Sequence, residues 1–171
     1  IDASRHRTDR GVGEEPPLGD QVMKLPSGAP FAVLPDIGAP WPKQAGKIAG
    51  YRMRGYRLDD KRRPTFLYSF NDVQIEDYPV AVMGELDPAL ARTLTLRSDK
   101  PAGQLWFRAA VGSKVEEKGG DAYLVDGRMA LKFKQAGGGK PVIRQSEGST
   151  ELLVPVVFTD GEAKLVEEIV W

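Results

Sequence analysis

Cysteine is missing from all 171 residues, and histidine occurs once, at His6. Without thiols this chain forms no disulfide scaffold, thiolate zinc site, iron–sulfur cluster or covalent c-type haem attachment, and it offers no cysteine nucleophile. A multi-histidine metal site is equally out of reach, and most hydrolase and zinc mechanisms go with it. Net charge is absent too. The 24 basic and 24 acidic side chains cancel, so no bulk field draws the chain to nucleic acid, an anionic membrane or acidic substrates. No run approaches the roughly 18 consecutive apolar residues of a membrane span, and Ile1-Asp2-Ala3-Ser4-Arg5-His6-Arg7 is not the apolar region of a signal peptide. The first residue is not methionine, which leads to the expectation that residue 1 is a boundary inside a longer polypeptide. The length suits one domain with one core.

What is present divides at about residue 46. Residues 1–46 are rich in glycine and proline, including Pro16-Pro17, Pro26, Pro30, Pro35 and Pro40-Trp41-Pro42. Proline fixes φ and removes a backbone donor, so this stretch reads as an extended arm rather than a helix or a set of central strands. Two short apolar runs, residues 22–25 and 31–34, are suited to pairing on a sheet edge. The arm is therefore expected to lie on the body formed by residues 47–171.

From Lys47 onward the apolar residues recur with period two, the mark of half-buried strands. In residues 51–58 the apolar set is Tyr51 and Met53, then Tyr56 and Leu58, and the phase slips at Gly55 as a β-bulge would make it slip. A polar turn follows, then Phe66, Tyr68 and Phe70 on one face, a tight turn at Asn71-Asp72, and residues 73–76, giving a three-stranded meander. Further strands are expected at residues 93–96, 104–109, 122–125, 129–133, 142–144, 151–158 and 163–170. Asp126-Gly127 and Asp160-Gly161 fit type I′ hairpin loops, and the second pairs the last two strands. The one helical candidate is residues 87–92, with Asp87 as N-cap and Pro88 at the first position. Many short strands and almost no helix predict an all-β, antiparallel β-sandwich of jelly-roll or mutarotase-like kind, with a barrel as the alternative.

Candidate sites are few. Asp9, Glu14 and Glu15 beside His6, with Asp20 near, are an oxygen-rich set that suits calcium or the holding of arginines across a module boundary; the plainer reading is an exposed polar arm. The stretch Lys43, Lys47, Arg52, Arg54, Arg57, Lys61, Arg62, Arg63 is basic and interleaved with Tyr51 and Tyr56, a combination that single-stranded nucleic acid favours. Alternation puts the arginines opposite the tyrosines, however, and a solvated sheet face explains them without nucleic acid. Sugar rings stack on tryptophan and tyrosine. Trp41 stands between two prolines, and Trp106 shares a strand face with Arg108, so Tyr51, Tyr56, Trp106 and Arg108 form the candidate carbohydrate set, against the commoner role of a strand tryptophan in a core. Glu116-Glu117 and Glu167-Glu168 read as solvated charges, and Gly137-Gly138-Gly139-Lys140 as a hairpin tip that lacks phosphate-loop spacing.

Residues 6–20, Ala39-Pro40-Trp41-Pro42, residues 55–68 with Gly55-Tyr56-Arg57-Leu58-Asp59 and Arg63-Pro64-Thr65-Phe66-Leu67-Tyr68, and the ending from Leu153-Val154-Pro155-Val156 to Trp171 resemble a β-rich module of large secreted proteins from planctomycete-type bacteria. There it stands next to dehydrogenase-like β-propellers and c-type cytochrome domains. The resemblance implies a periplasmic or secreted setting and a protein partner or neighbouring domain that carries haem. This chain departs from the haem-bearing part in lacking Cys-x-x-Cys-His, so no cofactor is expected in it, and His6 would at most be a distant axial ligand. The resulting expectation is a non-catalytic accessory or interaction module, with Trp41 and the polar residues of the arm in docking. The alternative is a carbohydrate-binding or carbohydrate-processing sandwich.

Overall fold

The computed structural model describes residues 22–83, 88–100, 103–136 and 139–171. Among the described residues the alternation read from the sequence becomes twelve strands: β1 (Phe31–Val33), β2 (Tyr51–Leu58), β3 (Pro64–Phe70), β4 (Val73–Met83), β5 (Pro88–Arg97), β6 (Leu105–Gly112), β7 (Val115–Gly119), β8 (Ala122–Val125), β9 (Met129–Ala136), β10 (Val142–Ser146), β11 (Ser149–Pro155) and β12 (Glu162–Val170). They form two antiparallel sheets. The larger has the order β2-β3-β4-β5-β12-β9-β8-β7, and the smaller β1-β6-β11-β10. The fold is thus an all-β sandwich, as its alternation predicts.

Between the sheets Phe70, Val73, Ile75, Leu94, Leu96 and Leu165 of the larger meet Phe31, Leu105, Phe107, Leu152 and Val154 of the smaller. Apolar residues at every second position drive this, because they give each sheet one face that is best removed from water. The bulge foreseen at Gly55 is present: pairing of β2 with β3 skips a residue between Met53 and Gly55, and Gly55 has a φ of 116°. That slip keeps Tyr51, Met53, Tyr56 and Leu58 on one face.

Several expectations change. Residues 88–92 are not helical but open β5, while Asp87 lies outside the described residues. Ala89 and Leu90 favour helix locally, yet here they pair with Val82 and Ala81 on one side and Val170 and Ile169 on the other, and two hydrogen-bonded neighbours outweigh a propensity of a few tenths of a kcal/mol, about 0.5. Asp160 and Gly161 do adopt positive φ and turn the chain, with a single bridge between Thr159 and Glu162. The strands around them nevertheless do not pair, since β11 belongs to the smaller sheet and β12 to the larger. The same is true across the glycine run: β9 and β10 sit in different sheets, so Gly139 lies in a crossover and not at a hairpin tip, and Gly137 and Gly138 fall outside the described residues. Residues 22–25 form no strand, whereas Phe31–Val33 does pair on a sheet edge, with β6.

Candidate functional site

The arm candidates His6, Asp9, Glu14, Glu15 and Asp20 lie outside the described residues. Among the described residues no group of three or more His, Cys, Asp or Glu is placed to hold a metal.

Trp41, Trp106 and Arg108 come together, but as structure. On β6, Leu105 and Phe107 point into the core while Trp106 and Arg108 point to the other side of the smaller sheet, where the segments flanking β1, residues 27–30 and 34–41, form a strap. Trp41 packs there with Ala32, Leu34 and Leu153, and its Nε1 donates to the Ala29 carbonyl at 2.9 Å. The Arg108 guanidinium lies 4.9 Å from the Trp41 ring centre and donates to the Ser27 carbonyl at 2.6 Å. Arg144 donates to the carbonyls of Ile37 and Ala39, both at 2.6 Å. Both arginines are held from beneath by one buried carboxylate, Glu151, at 3.2 Å from Arg108 Nη1 and 2.8 Å from Arg144 Nε. Charge-assisted bonds of this kind fix the strap where apolar contact alone would let it slide.

Tyr51 has an equally structural task. Its hydroxyl accepts from the Phe31 N–H and donates to the Phe31 carbonyl, each at 2.7 Å, closing the free edge of β1 and tying the two sheets together. Burial pushes this hydroxyl above the ordinary phenol range, so it stays protonated and able to donate. Tyr56, by contrast, is exposed on the larger sheet. Tyr51, Tyr56, Trp106 and Arg108 therefore do not line one carbohydrate face: the first bridges the sheets, the second faces outward, and the last two lie on the far side of the smaller sheet.

A second charged cluster lies between the sheets. Arg92 on β5 donates from Nε and Nη2 to the two oxygens of Asp77 on β4, at 2.9 and 2.6 Å. Its guanidinium also lies 5.7 Å from the centre of the Phe107 ring on the smaller sheet. Glu167 on β12 stands across from Arg92 in register and receives only a 3.3 Å bond from Nη1, and its Oε2 has no partner among the described residues. At 2 % exposed, Glu167 is not the solvated charge its place in Glu167-Glu168 suggests. Burial, with a push from Asp77, raises its carboxyl to about 7 against the pull of Arg92. Arg92 is also raised, which in its case favours the charged form: burial disfavours that charge, but the bond and charge of Asp77 outweigh burial and lift it above the ordinary guanidinium range. The signal for this cluster was available, since Arg92 falls in step with Leu90, Leu94 and Leu96, and Glu167 in step with Leu165 and Ile169.

The same core-side face of the larger sheet runs on to its β2–β3 edge, where it is bare. Met53 is 63 % exposed, Tyr56 64 %, Leu58 51 % and Phe66 38 %, and cross-strand pairing of Tyr56 with Phe66 makes them one strip. Asp59 shapes the hairpin behind it, accepting from the Lys61 and Arg63 amides, the Arg63 Nε and the Tyr78 hydroxyl. Around the strip Arg57 is engaged with Glu76 and Arg63 with Asp59. Arg52, Arg54, Lys61 and Arg62 are exposed and have no ion-pair partner among the described residues.

No protein-family model, curated protein or solved structure matches the chain.

Proposed function

We propose that this chain is a non-catalytic accessory module of a larger exported, cytochrome-c-linked dehydrogenase-like protein or complex, docking through the bare end of the larger sheet. The observation that carries the docking is the strip Met53, Tyr56, Leu58 and Phe66, which continues the core face past the point where any described residue covers it. Contiguous exposed apolar patches of this kind mark interaction surfaces. The exported, haem-linked setting rests on the resemblance set out from the sequence. Covering the exposed parts of four such side chains contributes roughly 4 kcal/mol, which falls short of the cost of association, so the interface extends onto the polar groups beside the strip.

The test is chemical cross-linking of the protein in its native source, followed by peptide mapping and haem staining. Cross-links from Lys43, Lys47 or Lys61 to a haem-bearing polypeptide or domain, lost when Tyr56 and Leu58 are replaced by serine, are the expected result. A native chain that purifies free of any haem-bearing partner, with those lysines linked only within the chain, overturns the proposal.

A further inference from the structure

Among the described residues the β2 strand ends the eight-stranded sheet and pairs on one side only, with β3. Its other edge presents backbone donors and acceptors over eight residues, and such an edge pairs with an added strand unless something prevents it. Its two faces are chemically opposite. One carries Met53, Tyr56 and Leu58; the other carries Arg52, Arg54 and Arg57. Arg57 is neutralised by Glu76, at 3.0 and 2.6 Å. Arg52 and Arg54 have no counter-charge among the described residues, and Lys61 and Arg62 add two more exposed cations at the end of the strand. Arg54 also lines a polar depression of about 450 Å³ with Asn71, Gln74 and Lys100 as well as Asp72 and Asp99.

We infer that β2 receives an added strand from a protein partner, an extended acidic segment in which apolar residues alternate with carboxylates. The inference rests on the reading of the strip as a docking surface and names what docks there. Period two decides the chemistry: a strand laid along β2 puts alternate side chains on opposite faces, so its apolar residues meet Met53, Tyr56 and Leu58 while its carboxylates meet Arg52 and Arg54. The bulge at Gly55 divides the edge into residues 51–53 and 56–58, so pairing is strongest in two short registers. Bulges and edge arginines also discourage a second copy of this chain, whose own arginines would stand against these.

The probe is a capped peptide of about eight residues alternating glutamate and valine, titrated into the full chain with amide NMR shifts as the readout. Shift changes concentrated in β2, and binding weakened at least tenfold by the double variant R52E/R54E, are expected, with a matching gain for a lysine–valine peptide. Thermal unfolding of that variant controls for folding, and Y56S supplies a second, charge-neutral weakening. No binding of the glutamate–valine peptide at millimolar concentration overturns the inference. So does equal binding of a block-sequence peptide of the same composition or of one N-methylated at alternate amides, and so does tighter binding of single-stranded DNA at the same edge. If the peptide fails while cross-links still map to the strip, the added strand is wrong and the docking surface stands.

Discussion

Replacing Glu167 with glutamine isolates one proton in the core. The carboxyl ordinarily titrates at 4.5, and burial between the sheets raises it to about 7. At about 1.4 kcal/mol for each pH unit that difference corresponds to roughly 3 kcal/mol. A folded state that holds the proton more tightly than the unfolded chain is favoured at low pH. The contribution is therefore fully present below about 4.5, is lost as pH rises through about 7, and is gone above that. Chemical unfolding of the native chain and of E167Q from pH 4.5 to 8.5 gives the comparison, and the difference between the two curves cancels titrating groups that do not interact with Glu167. The native chain is expected to lose roughly 3 kcal/mol relative to E167Q across this range. Glutamine keeps an oxygen for Arg92 Nη1, so the effect is not one of a lost bond. Parallel curves would refute the assignment of that proton to Glu167.

Two further changes test the ties that hold the sandwich. Y51F removes both bonds to Phe31 and leaves its N–H and carbonyl unmet, with an expected loss of about 1–3 kcal/mol in urea unfolding; a loss within about 0.3 kcal/mol of zero would mean that water serves the β1 edge as well. E151A leaves Arg108 and Arg144 without their shared anion and is expected to cost about 3–5 kcal/mol by the same measurement. Recovery of most of that loss in E151A/R108M/R144M would confirm that unpaired charge is the cause.

Much of this architecture is legible in the sequence because strand alternation is local. The break in phase at Gly55 gives the bulge, Asn71 and Asp126 with Gly127 give their turns, and Trp106 and Arg108 do share one face of their strand. Sheet membership is not local. Asp160-Gly161 specifies a turn, but which sheet the next strand joins is decided by the packing of β12 between β5 and β9. The same gap explains why Glu167 reads as solvated. Alternation assigns Glu167 to a face, and only the position of the smaller sheet decides which rows of that face are dry. Trp106 is the converse: its face is right, but the strap covering it comes from residues more than 60 positions away.

The strap also determines how the chain can be cut. By composition the body begins at residue 47, and a chain of residues 47–171 is the natural truncation to try. By packing it is not a unit. Removing residues 1–46 takes away β1 and with it Phe31, Leu34 and Trp41, all buried, at roughly 2–3 kcal/mol each. Those three alone approach the whole stability of an ordinary domain, about 5–15 kcal/mol. The loss is compounded by charge, because Arg108 and Arg144 rely on the carbonyls of Ser27, Ile37 and Ala39 for donors that Glu151 alone does not satisfy. The two buried clusters differ in this respect. Around Glu151 two cations share one anion, and backbone carbonyls complete the set. Around Arg92 two carboxyl groups share one cation, and burial favours a proton on one of them, Glu167. The truncated chain is therefore expected to give no dispersed amide NMR spectrum and no cooperative unfolding transition, whereas the full chain has both. A well-dispersed spectrum from residues 47–171 would show that β1 and the strap are applied to a sheet already stable without them, and that the core is shared differently from the way these contacts imply.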